Sequence, residues 1–140
     1  MEVSCRCTEL EINRYKNRLS DPFLERIDLI VNMQNVNAND RASMSSADMH
    51  REVIEVHKRV KLRGQDNFTA KLSDSDIEKF CVLNKEAKEV LDMAVHRFTL
   101  SFRAIKKIQK VARTIADLDR SDTIEKKHVL EALSYRRRGV

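Results

Sequence analysis

The chain has little of what tightly turning folds need. Only two glycines, Gly64 and Gly139, and one proline, Pro22, are spread over 140 residues; a sandwich, a barrel or a doubly wound sheet uses many more at its turns. Aromatic residues make up 5% of the chain. No apolar run approaches the roughly 18 residues needed to cross a bilayer, and no secretory apolar stretch precedes the three cysteines. An odd cysteine count in that setting points to a reducing compartment, so the chain is expected to be soluble and cytoplasmic, with no membrane partner. Also missing is a glycine-rich loop followed by Lys and Ser or Thr, whose backbone amides could cradle a triphosphate. The chain alone is therefore not expected to bind ATP. The four histidines, His50, His57, His96 and His128, form no nucleophile or metal motif with the cysteines. Cys5-Arg6-Cys7 offers two thiolates, but a tetrahedral zinc site needs two further ligands and no second close pair is visible. No metal site is expected.

What the chain does have is charge and helical periodicity. It is 35% charged, with 27 basic and 22 acidic residues and a formal net charge of +5. That balance is compatible with a polyanionic partner and equally ordinary for a mixed helical surface. Thr8 and Glu11 have capping-box spacing at the head of a helix over 9–19, where Leu10, Tyr15 and Leu19 supply an apolar side. Ser20-Asp21-Pro22 reads as a stop and restart, with Asp21 as N-cap and Pro22 opening a short turn through Phe23, Leu24 and Arg26. The run 27–33 is apolar and β-branched, interrupted by Asp28 and Asn32, and is the one strand candidate.

Residues 35–46 are rich in Asn, Asp and Ser and read as a linker. Beyond them the pattern is helical. Ser46 is expected to cap a helix with Met49, Val53, Val56 and Val60 on one face, ended by Gly64. Ser73 caps a short helix through Ile77, Phe80 and Cys81. Asn84 caps 85–99, with Ala87, Leu91, Ala94, Val95 and Phe98 along one side. Ser101 caps 102–118, and 124–136 forms the last helix around Val129, Ala132 and Leu133. The expected fold is mainly α: a bundle of four to five helices over 47–140, joined by the 35–46 linker to a helix and single strand over 1–34.

The arginines carry the chemistry. With Ser101 as N-cap, Arg103 falls in the first helical turn, where a positive charge meets the positive end of the helix dipole and loses roughly 0.3–1 kcal/mol. Either it is simply solvated, or an anion sits near the helix start, held by free amides and the guanidinium together. From Arg103 the charges continue at Lys106, Lys110 and Arg113, with Ile105, Ile108, Ala112 and Ile115 on the opposite side. Such a stripe is either the solvated side of the helix or a nucleic-acid contact through Lys106 and Lys110. Arg26, near the end of its short turn, stands where a cation is favoured in any case. The terminal Arg136-Arg137-Arg138 suits a helix C-terminus.

Three stretches together resemble the C-terminal third of magnesium chelatase-like AAA+ proteins, above all the competence-associated ComM-type branch. They are Cys5-Arg6-Cys7 followed by Ile12, Tyr15, Arg18-Leu19-Ser20, Pro22, Leu24 and Arg26-Ile27-Asp28-Leu29; Leu100-Ser101-Phe102-Arg103-Ala104; and Val111-Ala112-Arg113-Thr114-Ile115-Ala116-Asp117-Leu118 with His128, Glu131-Ala132-Leu133 and Tyr135-Arg136. Asp21, Phe23 and Glu25 depart from the family's usual residues, and Arg59-Val60 and Gln65 match loosely. The resemblance implies that residues 1–34 end an α/β AAA+ core and 47–140 form its helical lid. It further implies that Arg26 is an arginine finger reaching a neighbour's γ-phosphate and that Arg103 is the sensor-2 arginine of its own subunit. Arg113 is the runner-up for the sensor role, or a residue of lid packing. ATP and a magnesium ion would belong to the full-length protein, whose phosphate loop lies before Met1. The implied partners are that N-terminal core, neighbouring subunits of a hexameric ring and, for the competence branch, DNA. A free-standing basic helical module for nucleic acid or protein is the competing reading.

Overall fold

The computed structural model describes residues 7–24, 26–37 and 39–136, without the side chain of Asp21. Among these it is mainly helical: α1 (Glu9–Lys16), α2 (Asp21–Leu24), α3 (Ser46–Leu62), α4 (Asp74–Phe80), α5 (Lys85–Phe98), α6 (Phe102–Leu118) and α7 (Lys126–Ser134), with a 3-10 turn at Thr69–Lys71. Cys5, Arg6, Glu25, Arg137, Arg138 and Gly139, singled out above, lie outside the described residues.

The helix starts follow their capping chemistry. Thr8 and Glu11 form the expected capping box, Ser73 pairs with Asp76 in another, and Asn84 Oδ1 accepts from the Ala87 amide at 2.8 Å. The cap of α3 is Ser45 rather than Ser46, because Asp48 stands three residues beyond Ser45 and completes a capping box with it. α2 begins at Asp21, its first turn closed on the Ser20 carbonyl by the Phe23 and Leu24 amides.

Three helix ends use a left-handed residue. Gly64 (φ +71°) ends α3, with the Gln65 amide donating back to the Val60 carbonyl and the Gly64 amide to that of Lys61. Thr99 (φ 47°) and Arg120 (φ 58°) do the same after α5 and α6, where Leu100 donates to Val95 and Ser121 to Ala116.

The core is one continuous cluster drawn from α4 to α7 and the segments between them. Phe80, Leu91, Ala94, Ile108, Ala112, Ala116, Ile124 and Val129 are among its members. The faces foreseen on α4, α6 and α7 are those that pack. On α5, Phe98 stays exposed and Val90 is buried in its place. Ile124 precedes α7 instead of opening it: it forms an isolated parallel bridge with Leu83, accepting from the Asn84 amide at 3.0 Å and donating to the Val82 carbonyl at 2.8 Å.

The expected strand at 27–33 is not formed among the described residues. A strand needs a ladder partner, and among the described residues the only backbone hydrogen bond of 28–36 runs from Ile30 N–H to the Tyr135 carbonyl at 2.9 Å, a helix end rather than a strand. α1 buries no residue; Leu10, Tyr15 and Leu19 are exposed.

Candidate functional site

A cavity of about 760 Å³ lies between the segment following α2 and α6, lined also by Glu131 of α7 and by Tyr135 at the end of that helix. Arg26, Arg103, Lys106, Lys107 and Lys110 line it, against only Asp28 and Glu131 of opposite sign. The floor is apolar, from Leu29, Phe102, Val111, Ile115 and Leu118.

Helix α6 builds most of this wall, and its start is set by Ser101, whose Oγ accepts from the Ala104 amide at 3.2 Å. Arg103 therefore lies in the first turn, as expected, and no acidic residue accompanies it there. Its side chain is exposed and has no hydrogen-bond, ion-pair or ring partner among the described residues. The same is true of the exposed side chain of Arg26, which follows α2 and whose amide donates to the Phe23 carbonyl at 3.0 Å.

The lysines differ. Lys106 pairs with Asp74 of α4 and lies over the Phe102 ring at 3.8 Å. Lys107 pairs with Asp28 at 2.8 Å, and Lys110 donates to the Ala70 carbonyl at 3.0 Å. The basic stripe is thus not a free solvated face. Lys106, Lys110 and Arg113 stand where α4, the Thr69–Lys71 turn and the 119–124 loop pack on α6, and each cation meets an acceptor from that layer.

Of the two readings offered for Arg113, its surroundings fit lid packing. Its side chain is fully buried, far from the exposed position a nucleotide ligand would need. One Nη2 donates to Asp117 Oδ1 at 2.8 Å and to the Ser121 carbonyl at 2.6 Å, while Nη1 donates to the Asp122 carbonyl at 2.8 Å. Asp117 is in turn gripped by the fork of Arg63, at 2.6 and 2.9 Å, and Arg63 also donates to Gln65 Oε1 at 2.9 Å. Gln65 reaches the Asn67 carbonyl and Thr69 Oγ1, and Arg59 pairs with Asp122 at 2.9 Å. Burial pushes the Arg113 pKa down and the Asp117 carboxylate opposes that shift. Arg113 is a packing residue that pins α3 and the 119–124 loop to α6.

This polar core escaped the sequence reading, although one signal was present. Arg113 and Asp117 are four apart on a helix whose residues 112 and 116 are small alanines, a spacing that allows a pair to fold inward. Cys81 lies in the same neighbourhood, and burial pushes its thiol up to about 11.

His128 is also buried. Its Nδ1 accepts from the Glu125 amide at 2.9 Å, which leaves Nε2 as the protonated nitrogen facing Asp119 Oδ2 at 3.1 Å in the neutral ring. Nearby, the Ser121 hydroxyl donates to the Thr123 carbonyl at 2.8 Å and to Glu125 Oε1 at 3.1 Å. Hydrogen bonds from Lys127 first, then His128, hold Asp119 below the usual carboxylate range. His50 and His57 are exposed, His57 edge-on to Phe68 at 5.5 Å. No group of three metal-ligating side chains occurs among the described residues, and no helix there is long and apolar enough to cross a membrane.

Comparison with known proteins agrees with the stretches that carried the resemblance. Residues 43–136 match the family described as magnesium chelatase, subunit ChlI C-terminal, and residues 1–41 match magnesium chelatase, subunit ChlI. The chain belongs to the magnesium chelatase ChlI family. It is 38% identical over 136 residues to the uncharacterized protein YifB of Salmonella typhimurium, an alignment covering 94% of this chain and 27% of the relative. The same identity and coverage hold for YifB of Escherichia coli. Competence protein ComM of Haemophilus influenzae is 36% identical over 137 residues, covering 94% of this chain and 26% of that protein. The chain spans about a quarter of the length of these relatives. It is therefore a magnesium chelatase-like, ComM-type member of the AAA+ class, and the cavity and polar core belong to the part matched by the family's C-terminal region and the segment just before it.

Proposed function

We propose that this chain supplies the arginine finger and sensor-2 arginine of an AAA+ ATPase, with Arg26 and Arg103 meeting on one phosphate. A single observation carries the reading: of the five cations lining the cavity, the three lysines have partners, whereas Arg26 and Arg103 have none among the described residues. Two unpaired guanidinia beside a helix start are suited to a polyanion, because they stay charged and donate in a planar fork.

The shared cavity favours one particular arrangement of the two arginines. A finger reaching into a neighbour's site and a sensor reading its own subunit would face different nucleotides, yet both arginines line the same cavity. Both are accordingly assigned to the neighbour's nucleotide. During transfer, the guanidinia would neutralise charge developing on the phosphoryl oxygens, an effect worth roughly 10³–10⁵ in turnover for arginine fingers. ATP and magnesium would be held by the phosphate loop and acidic motif of the full-length protein. The coupled output we assign is remodelling of DNA in the cytoplasm by a hexameric ring, on the strength of the ComM-type relationship.

Mixing experiments on the full-length protein test this. Arg103→Ala subunits and subunits with a disabled phosphate loop should each be inactive alone and regain ATP turnover when mixed, since intact arginines then face intact nucleotide pockets across an interface. No recovery would assign Arg103 to its own subunit. Unimpaired turnover in Arg26→Ala and Arg103→Ala would remove both from the reaction.

A further inference from the structure

The segment carrying Arg26 is joined to the bundle by a long tether, yet it is docked onto it. Residues 31–45 contain neither helix nor strand among those described, so chain connectivity does not dictate where residues 26–30 rest. Two contacts do. Asp28 Oδ1 meets Lys107 Nζ at 2.8 Å, and the Ile30 amide donates to the Tyr135 carbonyl at 2.9 Å. Lys107 is four residues beyond Arg103, one turn along α6, and Asp28 is two residues beyond Arg26. Pairing Asp28 with Lys107 therefore holds Arg26 at the wall of the cavity that Arg103 also lines. Lys107 is 22% exposed and Asp28 54%, so the pair is half-open to solvent, and the neighbouring Ile30 is partly buried. At the far end, Tyr135 is itself held by its hydroxyl, which donates to Glu131 Oε1 at 3.0 Å.

We infer that Asp28 and Lys107 form a clamp that sets Arg26 in register with Arg103, so that the two guanidinia approach the phosphate as a unit carried by the helical bundle. The inference rests on the proposed role of those arginines. Asp28 and Lys107 are positioning residues: they act through Arg26 and touch no substrate. Because the clamp is a separable contact at the end of a tether, opening it withdraws Arg26 while leaving the bundle folded.

The test uses charge reversal in the full-length protein. Asp28→Lys and Lys107→Asp should each lower kcat about ten- to a hundredfold, as misplacement of a catalytic group does, with a smaller change in KM for ATP. The double reversal, Asp28→Lys with Lys107→Asp, should recover most of the loss. Hydrogen exchange of the peptide spanning 27–33 gives a reading independent of turnover. Its amide protection should fall in each single variant and return in the double. Absence of recovery in either measurement overturns the clamp. Exchange that responds while kcat stays unchanged would leave a docking contact and refute positioning. If Arg26→Ala itself leaves turnover intact, the reading of the site has failed, and the exchange data still decide whether the two charges dock the segment.

Discussion

Arg103 and Arg113 lie ten residues apart on one helix and answer to opposite physics. Replacing Arg113 by methionine removes a guanidinium that bonds Asp117 and two loop carbonyls, all inside the bundle. Breaking a buried pair costs about 3–5 kcal/mol, and chemical denaturation should show a loss of that size. Arg103→Ala removes an exposed side chain without partners among the described residues and should shift stability by no more than about 0.5 kcal/mol. Cys81 adds a pH signature. Burial raises its folded pKa to about 11 from the ordinary thiol value of 9.0, so its contribution is fully present below pH 9 and is lost as pH climbs toward 11. Folded protein at pH 8 should accordingly resist alkylation at Cys81 while the exposed Cys7 reacts, and Cys81 should be modified only as the chain unfolds. Arg103 was legible in the sequence because a cap and a first turn are local features. The burial of Arg113 was not, because although its acceptor Asp117 is only four residues on, the residue that shares that carboxylate, Arg63, comes from 54 positions away and is brought there only by folding.

Helix ends obey similarly local rules, which is why the caps at Thr8, Ser73, Asn84 and Ser101 could be read directly while the 27–33 strand could not. Apolar, β-branched composition favours an extended chain, but a strand exists only as one side of a ladder. The start of α7 was misplaced for a related reason, as Ile124 is drawn into a bridge with Leu83 from another segment. The left-handed caps give a paired test. A Cβ at Gly64 meets nothing within 4 Å, so Gly64→Ala should cost about 1 kcal/mol from backbone conformation alone. At Thr99 the sign reverses: a β-branched residue occupies φ 47°, and Thr99→Gly should stabilise by about 0.5 kcal/mol after the entropy of the added glycine is subtracted. Thermal unfolding of the two variants would show shifts in opposite directions.

Across the whole molecule, cohesion is uneven. The continuous apolar cluster begins at Leu72, whereas α1 contributes nothing to it. Amides of α1 should therefore exchange with solvent far ahead of those in α5 and α6, which open only with the bundle; equal protection across the chain would contradict this. Helix α3 holds an intermediate place. Val60 is its one buried residue and lies outside the main cluster, so the helix is located chiefly by Arg59 and by Arg63 at its cap. The information that places α3 is thus concentrated in a few charged positions, most of them toward its C-terminal end, with Glu52 meeting Arg120 at 3.6 Å nearer the middle. The rest of its surface is free to diverge in sequence, or to take on new contacts, without disturbing the bundle beneath it.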